Sequence, residues 1–168
     1  MRKVFTALLV LAAVVLTGCG LAEKATEKAI QKAVGVSVDE KNGTVTVQGQ
    51  NGEKMTVTTE PEGKLPEGFP LPVFPSAKVK TGGKIAANGK TLYTVELTYK
   101  GEAKPAVEFY EKALKDRGYG DLFKAESSTD DDETWTLSGQ NTKESATFFF
   151  QSMKKTKEAT IAISWSEL

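Results

Sequence analysis

The chain has 168 residues with 22 basic and 22 acidic side chains, hence no formal net charge, and it carries one cysteine and no histidine. Without histidine there is no Ser-His-Asp triad, no Cys-His dyad and no His-ligated metal; a lone cysteine excludes disulfide frameworks and Cys-based zinc clusters. Balanced charge argues against a nucleic-acid partner, which needs a basic excess to displace counterions, and the length suits one ordinary domain or a small domain with appendages.

The first element is a leader. Arg2 and Lys3 precede an apolar run from Val4 to Leu16 that only Thr6 interrupts. This is shorter than the roughly 20 apolar residues that span a bilayer, and it reads as the h-region of a secretory signal peptide covering residues 1–18. Leu16-Thr17-Gly18-Cys19 follows at once. This motif resembles the lipobox of bacterial envelope lipoproteins. The resemblance implies that the Cys19 sulfur receives a diacylglyceryl group with palmitate-type chains, and that cleavage leaves Cys19 as the first mature residue. A doubly acylated cysteine is a stable anchor, since each buried methylene contributes about 0.8 kcal/mol. The positive n-region stays cytoplasmic, so the expected location is the cell membrane, lipid-anchored and facing outward. Gly20, in place of the aspartate associated with inner-membrane retention, leaves the outer membrane open as a destination in a host that has one. Loss of Arg2 and Lys3 with the leader makes the mature chain slightly acidic.

Three small segments come next. Ala22, Ala25, Ala29, Ile30 and Ala33 recur at helical spacing and Gly35 is a natural stop, so residues 19–35 read as a lipid-anchored helical stalk. Its stripe is mostly alanine, which favours a spacer over a membrane-inserted helix. Residues 36–60 read as a small β-meander with strands 36–40, 44–49 and 54–59, because Asn42-Gly43 and Asn51-Gly52 are hairpin signals followed by alternating residues. Five of the six prolines then fall in residues 61–75, which reads as a semi-rigid linker. Apart from Phe5, every aromatic residue lies from Phe69 onward, so the main core is expected beyond the prolines.

Residues 76–168 carry that core. Strands 77–84 and 91–100 form a hairpin around Asn88-Gly89, and Tyr93, Val95, Leu97 and Tyr99 share one face of the second strand. A helix starts near Pro105, presents Ala106, Phe109, Tyr110, Ala113 and Leu114, and stops at Gly118. Strands 122–128, 133–139, 145–153 and 158–166 follow. The expected inward residues are Trp135, Leu137, Phe148, Phe150, Ile161, Ile163 and Trp165. The order ββαββββ predicts an α+β domain, an antiparallel sheet with one helix packed on one face. The stretch from Phe69-Pro70-Leu71-Pro72-Val73-Phe74-Pro75-Ser76-Ala77-Lys78 to the helix with Phe109-Tyr110, Leu114 and Gly118-Tyr119 resembles uncharacterised bacterial envelope lipoproteins. That resemblance spans residues 69–120 and implies a fold and an envelope location, not an activity.

Catalytic patterns find little support. Asp130-Asp131-Asp132-Glu133 lacks both the bend glycine and the alternating spacing of a Ca²⁺ loop, and reads as a solvated turn. Lys154, Lys155 and Lys157 read as a second turn. No carboxylates pair as glycoside hydrolysis requires, and Ser152-Met153-Lys154-Lys155 sits on a strand end where a Ser-Lys nucleophile needs a helix start. One helix cannot cover both faces of the sheet. The open face shows Thr98, Thr136 and, among threonines, Phe149, and these three are the candidate partner-binding residues. The expected function is therefore a non-enzymatic binding or interaction module at the cell envelope, without metal or cofactor. Its expected partners are the membrane through Cys19 and an envelope protein or polymer, with no nucleic acid. A structural spacer, and behind it a carboxylate-dependent hydrolase, are the alternatives.

Overall fold

The computed structural model describes residues 35–39, 41–48 and 53–168. The leader, Cys19 and the stalk expected before Gly35 lie outside the described residues. Val36–Asp39 (β1), Thr44–Gln48 (β2), Lys54–Glu60 (β3), Lys78–Ala87 (β4) and Lys90–Lys100 (β5) are followed by helix Ala103–Asp116 (α1). Phe123–Ser128 (β6), Asp132–Gln140 (β7), Glu144–Met153 (β8) and Glu158–Glu167 (β9) complete the elements of the described residues. All nine strands join one antiparallel sheet in the order β1-β2-β3-β4-β5-β9-β8-β7-β6. The helix packs against β7 and β8. After β5 the chain crosses through α1 to the far edge, and three hairpins bring it back until β9 pairs with β5.

Strand alternation places the core as the sequence predicts. Leu97, Leu137, Phe148, Phe150 and Ile161 are fully buried, and Tyr93, Val95, Tyr99, Ile163 and Trp165 nearly so. Trp135 is only partly buried at the margin of this cluster. On α1 the buried stripe is Ala103, Ala106, Val107, Tyr110 and Leu114, with Phe109 packed at its edge. Ala103 and Val107 join the expected stripe and Ala113 is only half-buried. The helix ends in a Schellman arrangement: Tyr119 N–H donates to Leu114 O and Gly118 N–H to Lys115 O, with Gly118 at φ +77°. Tyr119 and Leu114 are both buried, which supplies the apolar contact that usually accompanies the motif.

The boundary expected at the prolines does not divide the fold. Strand β3 pairs with β4 over Met55–Glu60, so the small meander is the outer part of the main sheet, and Val36–Leu168 is one compact unit. Residues 61–75 are not a linker. They lie across the helix side of the sheet, where Pro66 and Leu71 are buried and Leu65, Phe69, Val73 and Phe74 pack on the core. Phe74 meets Tyr99 and Phe109 at ring-centroid distances of 4.8 and 5.5 Å, and Phe69 meets Tyr93 at 5.9 Å. Tyr110 accepts the Phe74 N–H at 3.2 Å, and Tyr93 donates to Glu67 O at 3.2 Å. Proline suits this role because it has no N–H to strand when a segment crosses a sheet without joining its ladder. The approach is close: a Cβ on Gly82 would stand 2.7 Å from Pro66 Cδ.

Candidate functional site

The candidate site is built on the face turned away from α1 and the proline segment. Register identifies its members. On β5 they are Leu92, Thr94, Glu96 and Thr98, which stand opposite Ser166, Ser164, Ala162 and Thr160 of β9. Those in turn stand opposite Ser145, Thr147, Phe149 and Gln151 of β8, and Thr136 of β7 is next to Phe149. Phe149 is 47 % exposed. Both cross-strand neighbours, Ala162 and Thr136, are small side chains, and the ring is left about half exposed.

Two depressions mark this face. One of ≈ 420 Å³ has Gly83 and Ala162 among its lining, with Phe149, Thr94, Glu96 and Thr147 around them. Glycine and alanine create its depth, since neither has a side chain to fill the space between its neighbours. The other, ≈ 820 Å³, lies toward the β4–β5–β9 end and is lined by Lys78, Thr98, Tyr99, Lys100, Gln151 and Met153. The Tyr99 phenol itself turns to the opposite side, against Phe74; burial pushes it up to about 12, and its hydroxyl donates to Glu102 O at 2.7 Å. The structure therefore divides the three sequence-derived candidates. Phe149 lines the smaller depression, Thr98 the larger, and Thr136 flanks Phe149 outside both.

The same register exposes a feature that reading the strands separately misses. Toward the Asn88-Gly89 turn the helix-free face becomes apolar. Val38, Val45, Val57, Ile85 and Leu92 form one row across β1 to β5, and Val36, Val47, Met55 and Ala87 form the next. These side chains are half-buried or, at Val38, exposed. Their alternates on the helix side are polar: Ser37, Thr46, Thr56 and Thr58. The signal was present in the valine alternation of β1 to β3, but it needed the β3–β4 register to show which face those valines share.

Several other charged groups make contacts that tie elements together. Arg117 grips Glu144 through two hydrogen bonds of 2.8 Å, Nε to Oε1 and Nη2 to Oε2. The guanidinium holds the Glu144 carboxyl below the usual range, and the carboxylate raises Arg117 in return. Arg117 also donates to Pro70 O at 3.2 Å, tying the helix terminus to the proline segment. The acidic and basic turns meet each other: Lys155 pairs with Asp131, and Lys154 Nζ donates to Ser128 Oγ and to Thr129 O. Ser152 is buried and directed at Glu133. Among the described residues no group of three His, Cys, Asp or Glu side chains is placed to hold a metal ion. Nor is any described helix long and apolar enough to cross a membrane. No family model, no curated protein and no solved structure matches the chain.

Proposed function

We propose that this protein is an extracytoplasmic lipoprotein, anchored through acylated Cys19, that serves as a non-enzymatic binding module and contacts its partner through the helix-free sheet face. The observation that carries the reading is Phe149, a large aromatic side chain 47 % exposed in the interior of the sheet. Polar strand faces with scattered threonine need no partner to explain them. A phenylalanine two strands from the nearest edge, beside a depression floored by glycine and alanine, has the composition of a recognition surface, where aromatic anchors dominate binding energy. The envelope placement is supported by the charged n-region, the short apolar run and the cysteine that ends it.

Two experiments test the two halves. Changing Cys19→Ala should move the protein from the membrane to the soluble fraction; retention in the membrane fraction would overturn the anchor. A photo-crosslinking residue placed at position 149 in growing cells should give a discrete adduct, while the same residue at Lys112, on the exposed side of α1, should give none. Equal labelling at both positions would overturn the assignment of the sheet face.

A further inference from the structure

We infer that the smaller depression takes a small organic cation, an alkylammonium group seated over Ala162 between the Glu96 carboxylate and the Phe149 ring. The inference deepens the reading of the helix-free face as the binding surface and rests on it. Glu96, Ala162 and Phe149 stand in one line across β5, β9 and β8. The outer two are two strand spacings apart, about 10 Å between backbones. Between them Ala162 contributes only a methyl group, and it is exposed. Thr160 and Ser164, two residues either way along β9, bring hydroxyls to the same face. The arrangement is thus a methyl floor with a carboxylate on one side, an aromatic ring on the other and hydroxyls at both ends.

Charge selects the occupant. Among the described residues the Glu96 carboxylate has no ion-pair partner. Lys78, Lys80 and Lys100 line the neighbouring depression, and Lys80 is paired with Glu62. An anionic ligand would be repelled by Glu96, and an uncharged apolar one would strip water from the carboxylate without replacing it. A cation satisfies both walls together, by Coulomb attraction to Glu96 and by attraction to the ring quadrupole of Phe149. The volume, ≈ 420 Å³, lies within the range of small-molecule sites.

The test compares choline with its uncharged isostere 3,3-dimethylbutan-1-ol on the full-length chain in a non-ionic detergent, following the Ala162 methyl and Phe149 ring signals by NMR. Choline should shift both signals saturably, and the isostere should bind about fivefold more weakly or worse. Glu96→Gln should weaken choline about tenfold while leaving the isostere unchanged, and Phe149→Leu should weaken choline about threefold. The wild-type comparison needs no variant to fold. Equal affinity for the two probes overturns the cation while the face remains a binding surface. No response of Ala162 to choline overturns the inference outright, whereas the face itself is judged separately by crosslinking at position 149.

Discussion

The two ends of the sheet obey the same alternation rule but carry their apolar residues on opposite faces. In β5, β9, β8 and β7 the buried apolar residues point toward α1 and the proline segment, and Leu97, Leu137, Phe148 and Ile161 are completely excluded from solvent, while Leu92, Ala162 and Phe149 are left on the helix-free face. In β1 to β3 the apolar residues point the other way, and none of them is fully buried. The switch occurs within β4 and β5, where Val79 pairs with Leu97 on one face and Ile85 with Leu92 on the other, on either side of a bulge between Val79 and Thr81. The extra residue moves the later side chains of β4 to the opposite face, whereas β5 has no bulge and switches through its residue pattern, Tyr93 facing the core and Leu92 the other side. The helix side is apolar where α1, Pro66, Leu71 and Phe74 lie over it, and polar beyond them. Cover and composition match strand by strand.

Substitutions at each end can break or sharpen this comparison. The largest effect is expected for Phe150→Ala, under α1, which should cost about 3–5 kcal/mol and shift the denaturant midpoint; a loss as small as that of a surface change would mean this half is not the core. Next, Gly82→Ala drives a Cβ into Pro66 and should cost about 1–3 kcal/mol, with a protease-sensitive proline segment as the structural signature. Full wild-type resistance would show that the segment is not held against the sheet.

Arg117→Ala should cost about 1–2 kcal/mol, a modest figure because the pair is partly screened by solvent. Its pH dependence has a definite sign. Arg117 lowers the folded-state pKa of Glu144, so the pair's contribution is full above the ordinary glutamate value and is lost as pH falls through the lowered one. The variant should therefore lose less stability than the wild type on acidification in that window. Parallel thermal melts across the window decide the point; curves that keep a constant separation would exclude it. The smallest effects are expected at the other end of the sheet: Val45→Thr should cost about 1 kcal/mol and Thr46→Val about zero. If Thr46→Val proves as stabilising as Val45→Thr is destabilising, both faces of β2 are buried in solution and the comparison fails.

Much of the fold was legible from pattern. The hairpin at Asn88-Gly89 forms as the dipeptide demands, with both residues at positive φ (53° and 74°). Helix α1 and its Gly118 stop, and the inward rows of β5 and β7 to β9, follow from periodicity alone. The proline segment misled for a physical reason. Prolines mark a chain that leaves the hydrogen-bond ladder, and that holds equally for a solvent-exposed linker and for a strap lying on a sheet; the choice depends on whether apolar side chains such as Leu71 and Phe74 find a surface to cover. Phe149 was singled out because alternation put it among threonines. Alternation along β5 puts Glu96 on the same face as Thr98, but its alignment with Ala162 and Phe149 depends on the register of three strands distant in sequence.

Local chemistry decided what is local: the turn dipeptides, the helix and its cap, and the period of each strand. These depend on interactions among residues a few positions apart, which a sequence displays directly. Tertiary structure decided the pairing of β3 with β4, the seating of the proline segment and the merging of two expected units into one sheet. It also decided which open face gathers Glu96, Ala162 and Phe149. Each of these is a choice of partner between distant segments, made by the burial of apolar surface and by register, and only the folded chain brings those partners together.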